Sequence, residues 1–276
     1  MKVTVGADPE LFLFNSGGMP ISAYGLVPGD KKKPWLVDNG AIQVDGMALE
    51  FNITPAEDEE AFVKNLNSVM SRLEKEIPGN TSILITPVAE FGADYISKQP
   101  EAATRLGCDP DFDAWKDGSV NQPPNAQLPF RTAAGHVHIG WTNVEDHLDY
   151  DHMQECCNVI KQMDFFLGLP SLLFDRDVKR RTMYGRPGCF RPKTYGAEYR
   201  VLSNQWLRND ALKRWVFKNV QAGMDRYNKG DFVFYKVNKK ILDMMVNPAP
   251  DITRVKFLLD KLDIEHPPVI EVKKAA

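Results

Sequence analysis

Three short apolar runs each carry two chemistry-bearing residues two positions apart. They are Asp8 and Glu10 in GADPELFLF, His136 and His138 in AAGHVHIGW, and Glu198 and Arg200 in YGAEYRVL. Side chains at i and i+2 of a strand point to the same face. Each pair therefore projects together, while Leu11 and Leu13, Val137 and Ile139, and Tyr199 and Val201 fill the opposite face. An unpaired buried charge is costly, so such groups need partners. Acids, imidazoles and a guanidinium on adjacent strands would pair with one another and with bound metal, a combination suited to phosphate chemistry.

Further residues extend the pattern. Asp45 and Glu50 lie five apart in AIQVDGMALEFNI, so they share a face only if a bulge intervenes, and Gly46 is the expected bulge. Clustered carboxylates raise one another's pKa unless cations are present, and oxygen-rich sites select Mg²⁺ or Mn²⁺ over zinc. H-x-H on a strand is a metal-ligand spacing that hydrogen-bonded core histidines also show. The flanking Gly135 and Gly140 would let a ligand approach the backbone. Arg180, Arg181, Arg186, Arg191 and Arg200 crowd a stretch that also holds Gly185, Pro187, Gly188 and Pro192. A guanidinium fork matches phosphate and carboxylate and stays charged. The alternative for that stretch is a solvated basic loop that binds nucleic acid. The chain has no G-x-x-x-x-G-K-[ST] loop and no G-x-S-x-G elbow. Any nucleotide would then be held by metal ions and arginines rather than by a glycine-rich cradle.

The elements that must position these residues read as follows. VTVGADPELFLFN is a strand broken near Pro9, and SGG followed by PIS is a turn into a second strand. Asp38-Asn39-Gly40 is a tight turn, and AIQVDGMALEFNI is the strand that follows it. Thr54, Pro55 and Glu57 form a helix start, and Phe62, Leu66, Val69, Met70, Leu73 and Ile77 form its apolar stripe. SILITPVAEF, TAAGHVHIGW and AEYRVLSN are further strands, and residues 97–130 are a long irregular excursion. Residues 149–168 form a helix, 171–196 are mostly loop, and 209–228, 237–246 and 252–263 form three more helices. Strands and helices are segregated, which favours an α+β antiparallel architecture over a doubly wound sheet.

Composition bounds the rest. The chain has 276 residues, 43% hydrophobic and 26% charged, enough for a sizeable core. A net charge of −3 gives no global basic footprint for nucleic acid. The apolar runs are too short to span a bilayer and the N-terminus lacks a signal core, so the cytoplasm is the expected compartment. Cys108, Cys156, Cys157 and Cys189 include no C-x-x-C pair and read as free thiols.

The ordered set DPELFLF, VDGMALEFNI, AAGHVHIGW and GCFRPKTYGAEYRVLSN resembles the phage-encoded amidoligases, carboxylate–amine ligases of the glutamine synthetase and glutamate–cysteine ligase superfamily. The resemblance implies a curved antiparallel sheet of glutamine synthetase type with helices on its outer face. It implies one catalytic domain over residues 1–276, with a helical C-terminal part from about 209. It also implies ATP, Mg²⁺ or Mn²⁺, a carboxylate and an amine, and amide formation through an acyl phosphate in the cytoplasm of a host cell. By the same resemblance Asp8, Glu10, Glu50, His136 and Glu198 would hold metal, with Asp45 joining them. His138, Arg191 and Arg200 would meet the transferring phosphate, and Arg181 and Arg186 the nucleotide or a substrate carboxylate. Three other readings compete. They are a metal-dependent phosphotransferase of guanidino kinase type, a non-enzymatic nucleotide- or nucleic-acid-binding protein, and a zinc hydrolase using His136 and His138.

Overall fold

The computed structural model describes residues 2–104, 110–122 and 128–269; Cys108 lies outside them. The strands in chain order are β1 (Thr4–Asn15), β2 (Pro20–Ile21), β3 (Trp35–Val37), β4 (Gly40–Asp45), β5 (Ala48–Ile53), β6 (Thr81–Leu84) and β7 (Val88–Glu90). They continue with β8 (Phe112–Asp113), β9 (Ser119–Val120), β10 (Phe130–Thr132), β11 (Gly135–Gly140), β12 (Cys189–Lys193) and β13 (Gly196–Tyr199). The helices are α1 (Glu59–Glu76), α2 (Ala93–Ser97), α3 (Glu101–Thr104), α4 (Tyr150–Met163), α5 (Val178–Met183), α6 (Asp210–Asn228), α7 (Val233–Lys236) and α8 (Ile252–Leu262).

The main sheet has the order β3-β4-β5-β1-β11-β13-β12-β8-β9, with β2 and β6 along the far half of β1; β7 and β10 form a separate ribbon. These strand pairings are antiparallel. One sheet face is apolar. Leu11, Leu13, Val137, Ile139, Tyr199 and Val201 are all buried there. They share a hydrophobic core with Phe62, Leu66 and Val69 of α1, Ile160 and Met163 of α4, and Trp215, Val216 and Val220 of α6. At roughly 1.5–3 kcal/mol per fully buried large side chain, this helix-covered face supplies most of the hydrophobic stabilisation. The other face is left for polar residues. The mixture of a large antiparallel sheet with segregated helices agrees with the expected class.

Several local expectations are corrected. β1 runs unbroken through Pro9 and instead changes partner there, from β11 for Thr4–Pro9 to β5 for Glu10 and Leu11. AIQVDGMALEFNI is not one bulged strand but a hairpin, β4 and β5, with Asp45 opposite Ala48. Gly46 sits at φ 59° in its turn, a conformation that favours glycine. Helix α1 starts at Glu59, with Asp58 rather than Thr54 as cap. Residues 54–56 stay extended because Ala56 exchanges two 2.8 Å backbone hydrogen bonds with Val5. SILITPVAEF divides at Pro87 into β6 and β7. The carbonyls of Ile85 and Thr86 between them accept from the side chains of Gln205 and Asn204. TAAGHVHIGW likewise divides into β10 and β11.

Two more corrections concern the second half of the chain. The helix expected over 149–168 is regular only to Met163, then widens into a π turn over Asp164–Gly168. Asp164 is buried in that turn and accepts from Trp115 Nε1 at 2.6 Å and the Tyr199 hydroxyl at 2.8 Å. Burial pushes its carboxyl up to about 7. The arginine-rich stretch 171–196 is not mostly loop, since it contains α5 and β12. The segment 237–246 is a 3₁₀ helix over Lys239–Val246. The excursion at 97–130 contains α3, β8 and β9, and its residues 105–109 and 123–127 lie outside the described ones.

Candidate active site

Strand register assembles the candidate residues on the polar sheet face. Gln43 of β4 lies opposite Glu50 of β5, and Glu50 opposite Glu10 of β1. Asp8 of β1 lies opposite His136 of β11, His138 opposite Glu198 of β13, and Glu198 opposite Arg191 of β12. Opposed residues in antiparallel strands share a face, so these pairs form one continuous row across six strands. Above the row lies a cleft of about 440 Å³, lined by Asp8, Glu10, Asp45, Glu50, His136, Arg186, Arg191, Glu198 and Arg200 among others.

One half of the cleft is acidic. Burial and the nearby Asp45 push Glu10 up to about 7, although its Oε2 accepts from the Ala134 amide at 2.8 Å. Burial, then Asp8, Asp45 and Glu10, push Glu50 well above the usual carboxylate range. Glu50 accepts a hydrogen bond from Gln43 Nε2 at 2.8 Å. Asp45 shares this face through the hairpin and pairs with Lys31 at 2.7 Å. Asp45, Glu50 and Glu10 thus all act on one lysine, Lys31, which is half exposed.

The other half is basic around one acid. Glu198 is buried and meets Arg191 Nη1 at 3.5 Å, Lys193 Nζ at 2.9 Å and the Arg200 guanidinium. Burial alone would raise Glu198, but Arg200 and its neighbours outweigh it and hold the carboxyl well below the usual range. Arg200 also meets Asp111 at 3.3 Å, and Arg191 Nε donates to the Pro110 carbonyl at 3.3 Å.

The histidines stand between the halves. His136 Nδ1 lies 3.3 Å from Asp8 and 3.4 Å from Glu198. Burial and the Arg200 charge lower its pKa to about 4, so the ring is neutral. His138 Nε2 lies 2.9 Å from Asp8 Oδ1, and its Nδ1 contacts the Tyr195 hydroxyl. Burial opposes the charged form of His138, but Asp8 outweighs burial and raises its pKa.

Asp8, His138 and Glu198 each offer a ligand atom, and these atoms lie within 4.8 Å of one another. This grouping takes His138 where the resemblance implied His136. His136 Nε2 is buried without a hydrogen bond. Oxygen-rich donors with one or two imidazoles and uncompensated acids fit Mg²⁺ or Mn²⁺.

Two expected roles are redirected. Arg181 does not line the cleft. It is buried in the core, where its Nη2 donates to Ser171 Oγ at 2.8 Å and meets Asp175 Oδ2 at 3.3 Å. Gly135 and Gly140 serve packing rather than ligand approach. A Cβ at Gly135 would come within 2.3 Å of the Ser203 carbonyl, and one at Gly140 within 2.3 Å of Thr4 Oγ1. In the basic stretch Arg180, Arg181 and Arg200 are buried rather than solvated, while Arg176, Lys179 and Arg186 are exposed. Sequence reasoning missed Lys31, Asp111, Arg131, Lys193 and Tyr195. Lys193 carried a readable signal, since it precedes β13 within the GCFRPKTYGAEYR block.

Residues 120–242 match the sequence family described as phage phiEco32-like COOH.NH2 ligase-type 2. No curated protein matches the chain significantly. Among solved structures, the chain is similar to a bifunctional glutathione synthetase from Pasteurella multocida, at 12% identity and a TM-score of 0.45. That likeness covers 96% of this chain and 45% of the other, so the chain spans less than half of that protein's length. Among the described residues no helix is long and apolar enough to cross a membrane. The matched stretch contains β11, β12 and β13 with their histidines, arginines and Glu198, so the likeness to these COOH.NH2 ligases falls on the candidate site.

Proposed function

We propose that the protein is an ATP- and Mg²⁺-dependent carboxylate–amine ligase, built as one catalytic domain with a glutamine synthetase-like sheet. The observation that carries this reading is the acid row running directly into the arginine–lysine group on one sheet face. Asp8, Glu10, Asp45, Glu50, Glu198 and one or both histidines would hold the metal ions. Bound there, the ions would offset charge on the ATP phosphates.

The chain's own groups do the rest. Arg191, Arg200 and Arg186 bind and orient the phosphates, and Arg191 and Arg200 stabilise charge on the transferring group. An oxygen of the substrate carboxylate attacks the γ-phosphorus and ADP leaves. The amine nitrogen then attacks the acyl carbon, inorganic phosphate leaves, and the amine gives up a proton. His138, close to Asp8 and Tyr195, would contact the phosphate as a hydrogen-bond donor.

The test is a screen of amino acids, peptides and polyamines for Mg²⁺-dependent phosphate release from ATP with amide product. Glu10→Gln and Glu198→Gln are expected to lose turnover by roughly 100-fold or more, as for loss of a preorganised charge. A phosphorylated acceptor in place of an amide would point to the phosphotransferase. Full turnover in both variants would sink the site.

A further inference from the structure

Arg131 of β10 lines the cleft and is 8% exposed. Its Nη1 donates to the Leu128 and Phe130 carbonyls, each at 2.9 Å. Its Nε and Nη2 are buried and have no hydrogen-bond partner. Those two nitrogens form the side-on edge of the guanidinium, whose parallel N–H bonds match the two oxygens of a carboxylate or phosphate. Arg180 Nε and Arg181 Nε and Nη1 also lack a hydrogen bond, but each of those side chains, like Arg200, faces an acid. Arg181 meets Asp175, Arg200 meets Glu198 and Asp111, and Arg180 lies in the field of Glu10 and Asp175. No acid among the described residues pairs with Arg131. A buried, always-charged group without a counter-ion is destabilising, so its retention calls for an anion.

We infer that the Nε–Nη2 edge of Arg131 is a binding site for an anionic group of a small-molecule ligand. The surroundings describe that ligand further. Phe12, Met47, Ala48, Ala103, Leu128 and Phe130 line the same cleft. They suit a molecule whose carboxylate or phosphate is carried on a short aliphatic body. In the ligase reading, on which the ligand's identity but not the anion site rests, this is a carboxylate that anchors the substrate while another carboxylate reacts. The competing account is that Arg131 only pins the 128–130 backbone through Nη1.

The experiment uses the full chain as wild type, Arg131→Met and Arg131→Lys. Titration calorimetry and thermal unfolding are run with glutarate, L-glutamate, inorganic phosphate and Mg²⁺–ATP. Arg131→Met should weaken at least one anion by roughly 10-fold or more, the loss of a charge-assisted pair. Its ligand-free Tm should stay or rise, because an uncompensated charge has gone. Arg131→Lys should recover part of the affinity, since it keeps the charge without the fork. Loss confined to glutarate and glutamate assigns the site to a substrate carboxylate. Loss confined to phosphate and ATP assigns it to the nucleotide, and both support an anion site. A fall in ligand-free Tm with all four affinities unchanged would overturn the proposal, as would absence of binding by any probe to the wild type. Anion binding that Arg131→Met weakens, in a wild type that makes no amide, would instead defeat the ligase reading alone.

Discussion

Glu50 and Glu198 occupy the same face of the same sheet and are both buried, at 8% and 1% exposure. Their surroundings are opposite. Around Glu198 stand Arg191, Lys193 and Arg200; around Glu50 stand Asp8, Asp45 and Glu10, with one amide from Gln43. Glu198 is therefore held ionised and Glu50 is pushed towards its neutral form. One half of the cleft carries its cations within the chain. The other leaves a set of carboxylates whose charge an added cation would balance. Placed side by side, they form a surface with crowded acids at one end and acid-paired cations at the other.

The largest expected effect separates the two glutamates by the same chemical change. Glu198→Gln should destabilise the metal-free protein by about 3–5 kcal/mol, because it removes the charge facing the buried Arg200 and the partly buried Arg191 and Lys193. Glu50→Gln should leave stability unchanged or raise it, while removing the Mg²⁺-induced rise in Tm. Urea unfolding of both variants, with and without Mg²⁺, reads the difference. Equal destabilisation would erase the distinction between the halves.

The next effect is one of pH. Glu10 has its folded pKa raised from 4.5 to about 7. Such an acid stabilises the fold fully below the lower value, and that stability is lost as pH rises through the higher one. Glu198 and Asp8 are depressed, so their contribution is present above the ordinary carboxyl range and is lost only in acid. The metal-free Tm should therefore fall as pH rises from about 5 to about 8, and Mg²⁺ should flatten that slope. A metal-free Tm that rises over this window would contradict the acidic half as described.

The smallest effect concerns Lys31, which is half exposed. Lys31→Met should lower metal-free stability by about 1 kcal/mol or less, as for a solvated pair. The deficit should disappear when Mg²⁺ is added, a comparison that thermal scans at constant ionic strength resolve.

The i,i+2 pairs were legible because strand periodicity is local. Two residues apart means one face, whatever the partner strand. The apolar alternates at Leu11, Val137 and Tyr199 confirmed which face was which. The hairpin that brings Asp45 to Glu50 was harder to read. A glycine inside an alternating run signals a bulge or a turn equally well, and the tertiary pairing of β5 with β1 decides between them. Arg181 misled for a related reason. Its neighbours in sequence are basic and polar, yet α5 turns it inward to Asp175 in the segment just before the helix, a direction that the run of charges does not reveal. Lys31, Asp111 and Arg131 were invisible because each reaches the cleft from an irregular segment or a short ribbon, where no periodicity marks a facing direction.

The central position of β1 bears on how the molecule is assembled. This strand is hydrogen-bonded on one side to β5, close by in sequence, and on the other to β11, after a long intervening stretch. Pairing β1 with the β4–β5 hairpin closes only a short loop, so the acidic half can form early among local contacts. The edge that will receive β11 stays open until a far longer loop closes, and Glu198 with its cations joins after that. During that interval an apolar strand with unpaired backbone groups faces solvent, the arrangement most prone to pairing with another chain. The charged residues of the acidic half lie along this same strand, and their mutual repulsion makes an intermolecular copy of it a poor partner.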